Sequence, residues 1–578
     1  MCSSDLTRPG VALPDLDGRS APGTGAVLRG SAPAPAKVEP GLDLPGGVHV
    51  DLSELGAHGM SNAMLVTGKE SKTGKPLAVM GPQTGYYAPQ ILVEQVLNGP
   101  GIEARGVAFA GVNLFVQLGR GVDYAWSATS AGSDNIDTVA ERLCNVNGSK
   151  PSVRSTAYRV GKRCVPMQSD VHSETTTPNF TAPSPSKTYR FQVLRTRHGI
   201  VQERTTVGGV PVALVLQRST YGHEIDSVLG FGEFNDPGFV HDAKSFQKAA
   251  SDVDYTFNWF YADSEDISYY SSGLLPRRSK KVEPDLPRWA GKQYDWQGWL
   301  SDRRHARETN PKRGYLISWN NKPAPEFSAA DDTWGYGSVY RSQALEKRLL
   351  PKIRGQKKID LPGLVGVMAG AATADSRAAY TLPWLLKVIG DDPATASARK
   401  VLTAWLKAGT PRADRDRNGS YEHQAAIALF DAWWQSGQHS VAYDVLGDRL
   451  GDLTRELPQG LDDHPSSGGG SSFNGIAWYG YVAKDLRTVL GKKVEGAYSQ
   501  GYCGDGSLAA CRTTLRASLA GAVARILHKQ KNSSVAKLTY NKHRDDIRSN
   551  TAGLVGVRAI DWQNRPTFQQ VVEFLSHR

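Results

Sequence analysis

The sequence predicts a mixed α+β protein, strand-rich in its first half and helical in its second. Three observations carry that expectation. From Ser61 to the turn around Asp266, short apolar runs recur between clusters of Gly, Pro, Asn and Ser, which is how strands are punctuated. From Leu361 onward the apolar residues return with helical spacing instead. Of the 578 residues, 40% are apolar and 22% charged, ordinary globular values that permit a sizeable core and exclude wholesale disorder. The length alone would divide into about four domains of ~150 residues, but the pattern reads as one large body.

In chain order, residues 7–47 are dense in Pro, Gly and Ala, as in a flexible linker or a removable spacer. Residues 48–52 alternate as a short strand. Gly59-Met60-Ser61-Asn62 then leads into the apolar Ala63-Met64-Leu65-Val66, a turn running into a strand. Strand signals follow at 77–80, at the apolar 106–118 and at 212–217, with the turn-rich Gly81-Pro82-Gln83-Thr84-Gly85-Tyr86-Tyr87-Ala88-Pro89 after the first. Asp263-Ser264-Glu265-Asp266, flanked by aromatic residues, reads as a hairpin turn. Residues 394–406 and 423–435 read as helices, and 466–472 as a glycine-serine loop.

Charge and cysteine usage narrow the function classes. The formal net charge is +11, but the basic residues are scattered, with short clusters only at 277–281 and 303–307. That distribution reads as a solvated basic surface and not as a nucleic-acid footprint. No run approaches 18 apolar residues, so no membrane-spanning helix is expected. The five cysteines fall as Cys2, Cys144 with Cys164, and Cys503 with Cys511, none with CxxC spacing. Two local disulfides and an oxidising compartment are expected, with buried free thiols as the other reading. Met1-Cys2-Ser3-Ser4-Asp5-Leu6 lacks the basic and apolar segments of a signal peptide and reads as the edge of a truncated precursor.

Ser61 is the candidate nucleophile. A serine hydroxyl attacks poorly until a base takes its proton, and a serine released as a new N-terminus carries that base as its own α-amine. With a pKa of roughly 7.7–8.0, that amine accepts protons near neutrality. Taken by itself, a Ser-Asn pair is an ordinary way to open a strand; the residues that follow it are what distinguish this one.

Those residues form an ordered set. Ser61-Asn62-Ala63, Gly81-Pro82-Gln83, Trp126-Ser127-Ala128-Thr129-Ser130, Asp134-Asn135-Ile136-Asp137, Trp319-Asn320-Asn321-Lys322-Pro323 and Tyr340-Arg341 resemble, in order and approximate spacing, the motifs of the penicillin acylase family of N-terminal-nucleophile hydrolases. The resemblance implies an αββα four-layer sandwich with a helical C-terminal elaboration. It also implies a precursor that cuts itself before Ser61, so that residues 1–60 are the remnant of a small subunit and spacer and 61–578 the large catalytic subunit. The implied reaction is hydrolysis of a linear amide in a small N-acylated molecule, with β-lactam side chains, acyl homoserine lactones and acylated lipopeptides as candidates. A small subunit from the same precursor is the implied partner, and the implied location is secreted or periplasmic.

The resemblance also assigns roles. Gln83 lies on the loop approaching the nucleophile, the backbone N–H of Ser130 and the side-chain amide of Asn320 are the oxyanion donors, and Arg341 positions Asn320. Negative charge develops on the carbonyl oxygen during acyl transfer, so each such donor is worth roughly 2.7–4 kcal/mol of barrier. Asp134, Asp137 and Asp331, with the backbone oxygens of Ile136 and Pro284, match the ligands of one structural calcium ion. Thr84 and Leu118 stand where aromatic residues line the benzyl pocket of penicillin G-type members, which predicts a pocket reshaped toward longer aliphatic acyl groups. Asp414-Arg415-Asp416-Arg417-Asn418-Gly419 mimics half an EF-hand loop, but Ala425 stands at the twelfth position, so a solvated loop is expected. Two rivals are a conventional serine hydrolase built on Ser130, since Ala128-Thr129-Ser130-Ala131-Gly132 loosely echoes G-x-S-x-G, and a non-catalytic secreted calcium-binding homologue.

Overall fold

A computed structural model describes residues 42–44, 48–50, 60–86, 88–176, 186–330, 336, 339–434, 441–446, 478–549 and 556–577. The strand expected near residue 48 is Val48–Val50, which pairs antiparallel with Leu42–Leu44 inside the stretch expected to be linker. The rest of that stretch and the glycine-serine loop lie outside the described residues.

The apolar run after Ser61 is an inner strand with both faces covered. Met60–Val66 lies in a four-stranded antiparallel sheet whose order is Tyr315–Ser318, Met60–Val66, Leu77–Gln83 and Gln570–Glu573. Successive side chains of a strand point to opposite faces, and here the two sets enter different cores. Met64, Val66, Leu77 and Val79 pack against Leu345, Leu349, Leu364 and Met368 of the helices Tyr340–Ile353 and Leu361–Ala372. Ala63, Leu65, Ala78 and Met80 pack against Ala125, Phe260 and Ala262 of a second sheet. Residues 63–66 are 0% exposed, and burying one such large apolar side chain contributes about 1.5–3 kcal/mol.

The second sheet has seven strands, with Ala125–Ser130 between Phe257–Ala262 and Leu118–Arg120. Its far face carries Trp126, Trp259 and Tyr261, which are covered by Phe234, Phe246, Ala249 and Val253 of the helices Val228–Asn235 and Ala243–Ser251. Helices, four-stranded sheet, seven-stranded sheet and helices follow in that order, the αββα sandwich implied by the motifs. An eight-stranded sheet grows from Ile136–Cys144, directly after the Ser130 strand, and a helical core around Leu385, Trp405, Trp433 and Leu519 forms the elaboration. Both local disulfides, Cys144–Cys164 and Cys503–Cys511, are present.

Several expectations are corrected. The apolar stretch 106–118 is two strands, Ile102–Phe109 and Leu118–Arg120, joined by a turn that exposes Val112 and Leu114. The helices at 228–235 and 243–251 were not anticipated, although the second carries a legible start in which Asp242 caps Ser245 N–H at 2.6 Å. Helical structure in the second half begins at Tyr340, ahead of Leu361. The basic cluster at 277–281 is not wholly solvated, because Arg278 is turned inward. Nor is the half-EF-hand loop solvated at its first aspartate: the half-buried Asp414 turns its carboxylate inward to pair with Lys542 Nζ at 2.9 Å. By contrast, the hairpin at 263–266 is present, joining Phe257–Ala262 to Ile267–Ser271.

Candidate active site

Ser61 occupies the second position of the Met60–Val66 strand and pairs with Pro82, while Met60 pairs with Gln83. The chain runs unbroken through Met60, so the Ser61 nitrogen is a peptide N–H, which donates to Asn320 Oδ1 at 2.9 Å. Asn320 Nδ2 donates in turn to the Ser130 carbonyl at 3.0 Å. This one side chain therefore ties the start of the inner strand of one sheet to the end of Ala125–Ser130 in the other. Asn320 lies just beyond Tyr315–Ser318 with φ +62°, a left-handed conformation that Asn adopts more readily than most residues. Asn320 is thus suited by its backbone to the turn after Tyr315–Ser318 and by its side chain to the bridge. Its Nδ2 carries two hydrogens, and the Ser130 carbonyl takes one.

Gln83 organises the other side. Its Oε1 accepts from Arg341 Nη2 at 3.1 Å and from Trp319 Nε1 at 3.5 Å, and its Nε2 donates to Asn564 Oδ1 at 2.9 Å. The Arg341 guanidinium lies 4.5 Å from the Trp319 ring centroid, within cation–π range. Ser61, Gln83, Asn320 and Arg341 are all buried. The sequence-predicted residues form two hydrogen-bonded groups, Ser61–Asn320–Ser130 and Gln83–Arg341, brought together by the pairing of Met60–Val66 with Leu77–Gln83, with one difference: the bond described for Arg341 goes to Gln83, whereas the expectation was support of Asn320. Among the described residues no histidine or carboxylate hydrogen-bonds the Ser130 hydroxyl.

Sequence reasoning missed the C-terminal residues of the site. Asn564, Thr567 and Phe568 contact the Gly81-Pro82-Gln83 segment, and no local signal marks them. Of the two pocket positions, Thr84 is half-buried with its hydroxyl 3.0 Å from that of Thr567, and Leu118 is packed in the core with Trp126 and Phe234.

The implied calcium set is partly assembled. Asp134 Oδ1 and Asp137 Oδ1 each receive an N–H of Arg278 at 2.7 Å, and the Ile136 carbonyl receives Arg278 Nη2 at 3.2 Å. Asp137 Oδ2 accepts from Arg288 Nε at 2.7 Å and from Trp296 Nε1 at 2.9 Å. Pro284 lies in the turn where Leu286 N–H reaches the Glu283 carbonyl at 3.3 Å, and Asp331 lies outside the described residues. Calcium requires six to eight oxygens at 2.3–2.6 Å, whereas these oxygens converge on two guanidinium groups. The described part of the set therefore does not fit the ion as it stands. The Ser328 carbonyl receives the Asp134 N–H at 3.0 Å and the Tyr336 hydroxyl at 2.6 Å; burial pushes the Tyr336 pKa up to about 12, so it stays a neutral donor.

A buried serine at the edge of an inner strand of an αββα sandwich, with an asparagine bridging its nitrogen to the facing sheet, is the arrangement of the N-terminal-nucleophile hydrolase fold class. The chain belongs to the penicillin amidase family, whose model matches residues 10–570. It is 30% identical over 280 residues to penicillin G acylase of Escherichia coli, covering 47% of this chain and 30% of that protein. To the acyl-homoserine lactone acylase QuiP of Pseudomonas syringae pv. syringae (strain B728a) it is 27% identical over 292 residues, covering 50% of this chain and 33% of the relative. The chain thus matches about a third of the length of these curated relatives. The structure of a thermostable penicillin G acylase from Alcaligenes faecalis superposes with a TM-score of 0.67 at 21% identity, covering 89% of this chain and 88% of that one, and shares the fold.

Proposed function

We propose that this chain is the catalytic part of an N-acyl amide hydrolase activated by cleavage between Met60 and Ser61, with 61–578 as the large subunit. One observation carries the reading: the Ser61 nitrogen and the Ser130 carbonyl are bridged by the Asn320 amide. In the uncut chain the Ser61 hydroxyl attacks the Met60 carbonyl, shifting the acyl chain from nitrogen to oxygen and freeing the α-amine, and water then hydrolyses the ester to release the Ser61 hydroxyl and the Met60 carboxylate. In the cut chain the amine, with one hydrogen on Asn320 Oδ1, accepts the Ser61 hydroxyl proton as the oxygen attacks the substrate carbonyl. The second hydrogen of Asn320 Nδ2 and the Ser130 N–H receive the developing oxyanion. The proton passes to the leaving amine, and water releases the acid from the acyl-enzyme by the same route.

The substrate is a small N-acylated amide. The names of the relatives favour a β-lactam side chain or an acyl homoserine lactone, and acylated lipopeptides belong to the same chemical class. A small subunit from the same precursor is the proposed partner. The two disulfides support an extracytoplasmic location, and among the described residues no helix is long and apolar enough to cross a membrane. One structural calcium ion belongs to this proposal only if Arg278 withdraws from Asp134 and Asp137 to admit it. N-terminal sequencing of the expressed precursor, followed by turnover across an acyl-chain series, tests the proposal. A precursor with no Ser-Asn-Ala terminus and no turnover of any member sinks it.

A further inference from the structure

Resting on that reading, we infer that Asn564, near the C-terminus, is a positioning residue that sets the orientation of the Gln83 amide and through it the place of Arg341. The Gly81-Pro82-Gln83 segment is clamped by residues far away in sequence. Gln570–Glu573 adds a strand beside Leu77–Gln83, with Gln570 opposite Met80. Thr567 N–H donates to the Pro82 carbonyl at 3.0 Å, and the Thr567 hydroxyl accepts from Thr84 N–H at 3.3 Å. The approach is close enough that a Cβ at residue 81 would lie 1.9 Å from the Phe568 carbonyl oxygen, which is why a glycine stands there. Gln570 Nε2 reaches the Trp126 carbonyl at 2.9 Å, fixing the same segment to the facing sheet.

Within this clamp, Asn564 makes the one contact that bears on chemistry. Arg341 and Trp319 are donors only, so the end of Gln83 that faces them must be its oxygen. Its nitrogen then points the other way, into the buried interior, and needs an acceptor. Asn564 Oδ1 supplies it at 2.9 Å, while the Asn564 backbone N–H is held by the Ala372 carbonyl at 2.7 Å. Remove the acceptor and the Gln83 nitrogen loses this buried hydrogen bond. The amide then rotates, and the guanidinium stacked on Trp319 loses the oxygen that holds it beside the nucleophile strand. No part of this requires Asn564 to touch substrate.

The test uses the full-length precursor and its processed enzyme in five forms: wild type, Asn564→Leu, Asn564→Asp, Gln83→Leu, and Gln83→Leu combined with Asn564→Leu. Thermal melting serves as the folding control. Asn564→Leu is expected to lower kcat by about 10- to 100-fold, the range of small misplacements of catalytic groups, with KM within about twofold. Asn564→Asp keeps the acceptor and is expected to recover most of kcat. Adding Asn564→Leu to Gln83→Leu is expected to cost nothing further, because a residue that acts through another has no separate effect once that partner is gone. Unchanged kcat in Asn564→Leu, or losses that multiply in the double variant, overturns the inference. If Asn564→Leu does not accumulate, Asn564→Ser takes its place under the same criteria. A wild-type precursor that neither cleaves nor turns over overturns the functional reading itself, whereas an active wild type with an unaffected Asn564→Leu overturns only this inference.

Discussion

Asn320 offers the sharpest test, because its backbone and side chain do separable things. The side chain accepts from Ser61 N–H and donates to the Ser130 carbonyl, and the backbone sits at φ +62°. Asn320→Ala removes both bonds and places a residue with a Cβ but no compensating side-chain hydrogen bond in the left-handed region, at about 1 kcal/mol of strain. Asn320→Gly removes the same two bonds without the strain. If the amide is the oxyanion donor, kcat falls by about 10²- to 10³-fold in both, a loss of about 2.7–4 kcal/mol of transition-state stabilisation. Both variants lose the melting temperature that the two bonds contribute, and the alanine variant falls further by the strain. The assay is kcat and KM on enzyme shown by N-terminal sequencing to begin at Ser61, with precursor cleavage followed separately by gel. Near-wild-type kcat in a processed Asn320→Gly enzyme would remove the amide from the site. Equal kcat losses accompanied by equal, large drops in melting temperature would show that Asn320 acts by holding the two sheets together.

Ser61→Ala is expected to leave a single uncut chain by intact mass, whereas the wild type yields a fragment beginning Ser-Asn-Ala. For the aspartate loop, Arg278→Gln should lower the melting temperature, and a chelator should leave that of the wild type unchanged; a saturable rise on adding calcium would contradict the guanidinium reading. In the helical elaboration, burial alone raises the pKa of Asp375, but Arg377 at 2.7 Å and Arg412 at 3.0 Å overcome it and hold the carboxyl below its usual value. A depressed carboxyl contributes stability above its unfolded pKa of about 3.9 and loses it as pH falls through the lower folded value. The melting temperature should therefore drop steeply below about pH 4, and Asp375→Asn should flatten that limb while costing about 3–5 kcal/mol near neutrality. An unchanged pH profile in the variant would show that this cluster does not govern acid stability.

The sequence by itself determined the outer terms of the fold: strands before helices, a strand after Ser61, the hairpin at 263–266, two local disulfides and the helices near 396 and 424. These were legible because each depends on neighbours a few residues away, through side-chain periodicity, turn chemistry or short loop closure. The ordered motifs likewise put Ser61, Gln83, Ser130, Asn320 and Arg341 on one list before their geometry was visible. What the sequence did not carry were contacts between residues hundreds of positions apart. Nothing local says that Gly81 is glycine because the Phe568 carbonyl presses on it, that Asn564 receives the Gln83 amide, or that Arg278 turns inward to meet Asp134 and Asp137 while Arg277 and Lys280 are exposed. An amide or guanidinium has the same intrinsic chemistry wherever it stands, and its partner is chosen by which strands the packing of the layers brings side by side. Composition and periodicity therefore determined the layers, whereas the pairing of donors with acceptors across them was decided only when the chain had closed on itself and left each buried polar group a small set of reachable partners.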